Sequence, residues 1–207
     1  MIEEILKSLV IIFSAIVLHE YAHGWTADKL GDPTARMAGR LTLNPIKHID
    51  PIGSILIPGI LLTLSMLGHG SVLFGWAKPV PVNFARLQNP RRDMVLVSMA
   101  GPAINVAIAL VCSGLLRLNP GLEHGYYLEV AIFVNLLLAI FNMIPIPPLD
   151  GSRLVMGFLP RRLAVLYGRL EPYGILIVFI CLYFGLFSAV VLPLVKIAST
   201  ALGVSHL

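Results

Sequence analysis

Five apolar runs divide the chain: Ile5 to Trp25, Ser54 to Leu67, Met94 to Leu116, Tyr126 to Pro145 and roughly Tyr173 to Ile197. An α-helix rises about 1.5 Å per residue, so about 20 apolar residues cross a hydrocarbon core about 30 Å thick. The first, third, fourth and fifth runs reach that length and predict four full transmembrane helices, the last with a bend expected at Pro193. The second run differs. It holds 14 residues with Pro58 and Gly59 at its middle, too short to span, and predicts a short re-entrant or interfacial hairpin. After it, Val72 to Phe84 mixes β-branched and aromatic residues with Gly75, Pro79 and Pro81. That composition suits a short edge strand or hairpin, so a small β-like membrane-associated loop is expected there. The predicted fold class is an all-α polytopic membrane protein, read as one integral-membrane domain over residues 1–207.

Charge placement supports this topology, because cytoplasmic loops of membrane proteins accumulate Lys and Arg. If Ser54 to Leu67 does not cross, loops 26–53, 68–93 and 149–172 share one side and hold twelve of the fifteen basic residues. If it crosses, that bias collapses. The non-crossing arrangement puts the N-terminus outside and the end of the first helix on the cytoplasmic side. Composition agrees: 57% of residues are hydrophobic and 13% charged, about half the charged share of soluble domains, with mean hydropathy +0.86. The net charge of +4 does not indicate a nucleic-acid partner, since the basic residues are scattered over short loops. Cys112 and Cys181 lie in apolar runs without CxxC spacing and read as free thiols. The first run has Glu3 and Glu4 ahead of Lys7 and no small-residue cleavage pattern after it, so a retained helix is expected rather than a signal peptide.

Inside that first run lies His19-Glu20-Tyr21-Ala22-His23. Residues four apart share a helix face, so His19 and His23 are placed to bind one zinc ion, with Glu20 beside them as general base. With six His in 207 residues, and as many Glu, about 0.005 such pentads are expected by chance, so coincidence is a weak competitor. His19 lies 14 residues beyond Ile5, about 21 Å of helix rise. The pentad is therefore expected below the cytoplasmic surface but short of the midplane.

A catalytic zinc site usually has three protein ligands and an open position. Glu123 and Glu129 fall at the opposite end of the membrane, which leaves Asp50, Asp93, Asp150, Glu171 and His48. Asp150 stands out. It follows Pro145, Pro147 and Pro148, which end a transmembrane helix and suggest extended backbone at membrane depth. A carboxylate there, next to Gly151, suggests a site, although it also reads as an interfacial helix cap. Asn105 and Asn135 read equally as interhelical hydrogen-bonders, Ser98, Ala100, Gly101 and Ala103 as close-packing residues, and His48 as a gate, a supporting partner behind a metal ligand, or an interfacial histidine. A transporter with a polar pathway, or a silent client-binding relative, are the competing function classes.

His19 to His23, Gly101-Pro102-Ala103-Ile104-Asn105 and the proline-rich segment ending Leu149-Asp150-Gly151 together resemble the site-2 protease family of intramembrane zinc metalloproteases. The resemblance runs from about Val10 to Leu159. It implies one Zn2+ held by His19, His23 and Asp150, with Glu20 as catalytic base. It also makes Asn142 and Asn105 candidates for substrate or oxyanion contact. Residues 43–51 and Phe74-Gly75-Trp76 resemble compact prokaryotic members without PDZ or CBS domains. The expected partners are the lipid bilayer and membrane-protein substrates carrying a transmembrane segment, and the expected location is a prokaryotic cell membrane.

Overall fold

A computed structural model of the chain describes residues 2–67, 75–119, 121 and 125–204. In chain order the α-helices are α1 (Ile2–Lys29), α2 (Thr34–Met37), α3 (Ile57–Met66), α4 (Pro90–Leu118), α5 (Gly125–Asn142), α6 (Asp150–Phe158), α7 (Arg161–Gly168), α8 (Gly174–Tyr183) and α9 (Leu192–Ala201). Among the described residues there is no strand. Among the described residues, four helical stretches are long and apolar enough to cross a membrane: Leu6–Lys29, Pro90–Leu118, Gly125–Asn142 and Arg161–Tyr183.

α1 and α4 form the frame of the site. α1 stops at Gly31, whose φ of +106° favours glycine, and the Asp32 N–H returns to the Ala27 carbonyl at 2.9 Å. α4 begins with Pro90 in its first turn, and Asp93 accepts the Asn89 N–H at 2.8 Å across the helix start. Along α1 the buried positions Ala15, His19, His23 and Ala27 recur every four residues, so two small side chains bracket two histidines on one face. That face meets α4 at Val97, Ser98, Gly101, Pro102 and Asn105, which are also buried. α4 in turn packs against α5 and α6, and a second apolar cluster of Ala109, Ile132, Leu136, Val191 and Val195 joins α4, α5 and the C-terminal helix.

The polarity of this fold is reversed relative to a water-soluble domain. His19, His23, Asn105 and Asn135 are buried, while Leu110, Val111, Ile60 and Leu176 are at least half exposed. An apolar exterior around a polar seam fits a hydrocarbon surrounding, where buried polar groups must find partners inside the protein.

Two expected elements take a different form. Residues 51–66 make one continuous helical segment, a π-helical turn over Pro51–Leu56 running into α3, with no hairpin turn at Pro58-Gly59. Pro58 lacks an N–H, and the wider turn before it accommodates the missing bond. Of the expected β-like loop, residues 72–74 lie outside the described residues, and 75–83 is irregular backbone rather than strand. The final apolar run is two pieces. α8 ends at Tyr183, Gly185 turns with φ +80°, and helix resumes through a π turn at Phe187–Val191 into α9. The break therefore falls at Gly185 and not at Pro193, which directly follows the π turn inside one continuous helical segment from Phe187 to Ala201.

Candidate metal centre

Three side chains from two distant parts of the chain converge at the α1–α4 seam. His19 Nε2 and His23 Nε2 are 3.0 Å apart, and Asp150 Oδ2 lies 3.2 Å from the first and 3.1 Å from the second. Asp150 arrives through the proline turn. The α5 helix ends at Asn142, and Ile144 N–H to Phe141 O, Ile146 N–H to Ile144 O and Leu149 N–H to Ile146 O fold the chain back into α6. Gly151 makes this return possible: a Cβ there would lie 2.2 Å from the Met143 carbonyl oxygen. The expectation of extended backbone from Ile144 to Leu149 is thus replaced by successive turns. The segment has only three N–H groups, because the other residues are proline, and all three close those turns. The segment therefore offers no free backbone donor.

The hydrogen bonds behind the histidines determine what the site presents. His23 Nδ1 lies 2.7 Å from the Val97 carbonyl, which can only accept, so Nδ1 carries the proton and Nε2 offers a lone pair. His19 Nδ1 lies 2.5 Å from Asn105 Oδ1. The Asn105 amide is oriented by its own donors, Nδ2 to Ala15 O at 3.3 Å and to Asn135 Oδ1 at 2.7 Å, while Asn135 Nδ2 donates to Ala131 O at 2.8 Å. A carbonyl acceptor at each end makes this chain directional, so His19 too donates from Nδ1 and presents the Nε2 lone pair.

Three acceptors therefore face one another with no proton assigned between them, an arrangement that asks for a cation. Two ligands about 2.0–2.1 Å from a common tetrahedral ion lie about 3.3 Å apart, close to the observed separations. The space is also kept open, since a Cβ on Gly101 would fall 2.3 Å from His23 Nε2 and 2.6 Å from His19 Nε2. Two imidazoles and one carboxylate suit zinc, with a coordination position left for a reactant.

The other sequence candidates have different positions. Asp50 caps the π turn by accepting from Ile52 and Gly53 N–H groups, Asp93 caps α4, and Glu171 pairs with Arg153. His48 is buried and donates from Nε2 to the Thr42 carbonyl at 2.9 Å. Asn105, a candidate for substrate contact, is fully buried behind His19 with its oxygen and both amide hydrogens engaged. Asn142 donates one amide hydrogen to Leu138 O at 2.9 Å, one turn back in α5. Glu20 accepts the Val80 N–H at Oε2, 2.7 Å. Gly101, Asn135 and Val97 O are parts of the site that the pentad does not announce. Gly101 is visible in the sequence only as a small residue inside a helix motif, and a backbone carbonyl has no sequence signature.

A profile of peptidase family M50 matches residues 121–185. Relatives named putative zinc metalloprotease include proteins from Bacillus and Mycolicibacterium. YwhC of Bacillus subtilis is 37% identical over 200 residues, 91% of this chain and 85% of that protein. The chain belongs to peptidase family M50, the site-2 proteases. Rip2 of Mycolicibacterium smegmatis is 30% identical over 165 residues, 77% of this chain and 54% of that protein, so this M50 chain spans about half the length of Rip2. No solved structure matches it. Family membership and the four apolar helices make this a membrane-embedded member of a metalloprotease family.

Proposed function

We propose that this chain is an intramembrane zinc protease that cuts membrane proteins within or near a transmembrane segment. The observation that carries the proposal is the convergence of His19 Nε2, His23 Nε2 and Asp150 Oδ2, with both imidazole tautomers fixed from behind. These three residues would hold the zinc. When bound, zinc supplies Lewis acidity that polarises a peptide carbonyl and makes water a nucleophile near neutral pH. Glu20 takes the proton from the attacking water and passes it to the leaving amine. Asn105 orients His19 rather than meeting substrate. Asn142, with a second amide hydrogen uncommitted among the described residues, is the side-chain candidate for the developing oxyanion. The single domain over 1–207 holds the whole centre.

A substrate helix hides its peptide bonds in its own ladder and has to unwind before cleavage. The Ile144–Leu149 segment offers an unwound substrate no free N–H, and its Ile144, Pro145, Ile146 and Leu149 carbonyls already accept hydrogen bonds within the protein. The concentration of basic residues in loops 26–53, 68–93 and 149–172 supports a cytoplasm-facing site in a prokaryotic cell membrane, with the 51–66 helix lying along or dipping into that face. Purified protein and a single-span model substrate in liposomes test the reading. Cleavage that a chelator stops and zinc restores is the expected result; zinc-loaded protein that never cleaves any unwindable substrate overturns it.

A further inference from the structure

Residues 76–83 lie over the pentad as a strap held by hydrogen bonds to other parts of the chain. Lys78 and Val80 each precede a proline, which disfavours helical backbone at both, and Pro79 and Pro81 carry no N–H. The Lys78 and Val80 donors go to His48 O at 2.9 Å and to Glu20 Oε2 at 2.7 Å. The strap is fastened at both ends, by Trp76 N–H to Gly53 O at 3.1 Å and by Asn83 N–H to the buried Asp32 Oδ2 at 2.6 Å. In the middle, Arg40 is only 8% exposed, and its Nη2 donates to Lys78 O at 2.7 Å and to Pro79 O at 3.3 Å. Among the described residues no carboxylate pairs with this guanidinium.

A buried cation bonded only to backbone is costly unless it serves the structure around it. The placement identifies that service. Pro79 O and Val80 N–H belong to one peptide plane, so Arg40 sits on the carbonyl side and Glu20 on the amide side of the same unit. A cation on the oxygen polarises the peptide and strengthens the N–H as a donor to the carboxylate. Val80 is pressed down in turn: its Cγ1 would lie 2.8 Å from a Cβ on Gly24, the residue after His23.

We propose that Arg40 is a positioning residue for Glu20, acting through the 79–80 peptide to hold the carboxylate oxygen in one place. The proposal rests on Glu20 being the general base. Arg40→Gln and Val80→Pro, which removes the N–H itself, are each expected to lower kcat roughly 100-fold, the scale of a misplaced catalytic group. KM, zinc content and thermal midpoint should stay at wild-type values, and Arg40→Lys should recover part of kcat. Hydrogen–deuterium exchange at the Val80 amide should accelerate in Arg40→Gln. Wild-type kcat in either variant overturns the proposal, as does a fall in kcat that merely follows zinc loss or melting, or unchanged Val80 exchange. If Arg40→Gln does not fold, Val80→Pro decides. If the wild-type chain shows no chelator-sensitive cleavage, the protease reading fails, and the exchange measurement still settles whether Arg40 holds this peptide.

Discussion

Replacing Gly101 with alanine separates metal binding from folding within one helix. The added Cβ would stand 2.3 Å from His23 Nε2 and 2.6 Å from His19 Nε2 and Cε1. Ordinary carbon–nitrogen contacts need at least about 3.4 Å, so one or both imidazoles must retreat by about 1 Å. Zinc–nitrogen bonds are about 2.0–2.1 Å with little tolerance, and disturbing only the outer support of a ligand already costs about 10- to 100-fold in affinity. A direct collision with both histidines should therefore weaken zinc binding by at least about 100-fold. Helix propensity works in the opposite direction, since alanine is favoured over glycine by about 1 kcal/mol in a helix interior. Gly101→Ala should thus keep its helical signal while losing metal and activity together. Gly114, in the same helix with nothing within 4 Å of where a methyl group would sit, is the control: Gly114→Ala should keep zinc and be neutral or more stable. Zinc content by mass spectrometry after titration against a competing chelator reads the effect. A Gly101→Ala protein that binds zinc as tightly as wild type would refute the reasoning.

Further outcomes follow from the same geometry. Glu20→Gln should retain zinc and lose cleavage by at least about 100-fold; sustained cleavage by a zinc-loaded, contaminant-free sample counts against the base assignment. Asn105→Ala removes the acceptor of His19 Nδ1–H and should weaken zinc about 10- to 100-fold, with Asn135→Leu weaker in effect but in the same direction, measured by chelator competition. Gly151→Ala sets a Cβ against the Met143 backbone and should destabilise by about 1–3 kcal/mol while shifting Asp150, seen as a lower thermal midpoint together with reduced zinc content. Replacing helix-breaking residues of a substrate segment by leucine should slow cleavage; an unchanged rate would show that unwinding is not limiting.

Much of the architecture is legible along the chain because the bilayer imposes a length rule. The first, third and fourth apolar runs reappear as α1, α4 and α5 with their polar seams turned inward. The differences fall where local breakers compete. Pro58-Gly59 reads as a turn, but a π-helical turn absorbs the missing N–H. Pro193 reads as a bend, but the π turn at Phe187–Val191 runs into the helix that contains it, and Gly185 takes the break instead. The β-branched and aromatic residues of 72–84 suggest a strand, yet within 75–83 the prolines leave few donors for a ladder, and those of Lys78 and Val80 are taken by His48 and Glu20.

By itself the sequence determined a membrane protein with two histidines and a glutamate on one helix, since helix periodicity and hydropathy are local properties. It also narrowed the third ligand to a few candidates on one side of the membrane and favoured Asp150 among them. Only tertiary structure brought Asp150 to within hydrogen-bond distance of both imidazoles, 127 and 131 residues away in the chain. Only there did Val97 O and the Asn105–Asn135 pair settle the two tautomers, and Gly101 keep space between them. The reason is physical: a lone pair's direction depends on the hydrogen bond at the far side of the ring, and that partner belongs to another helix.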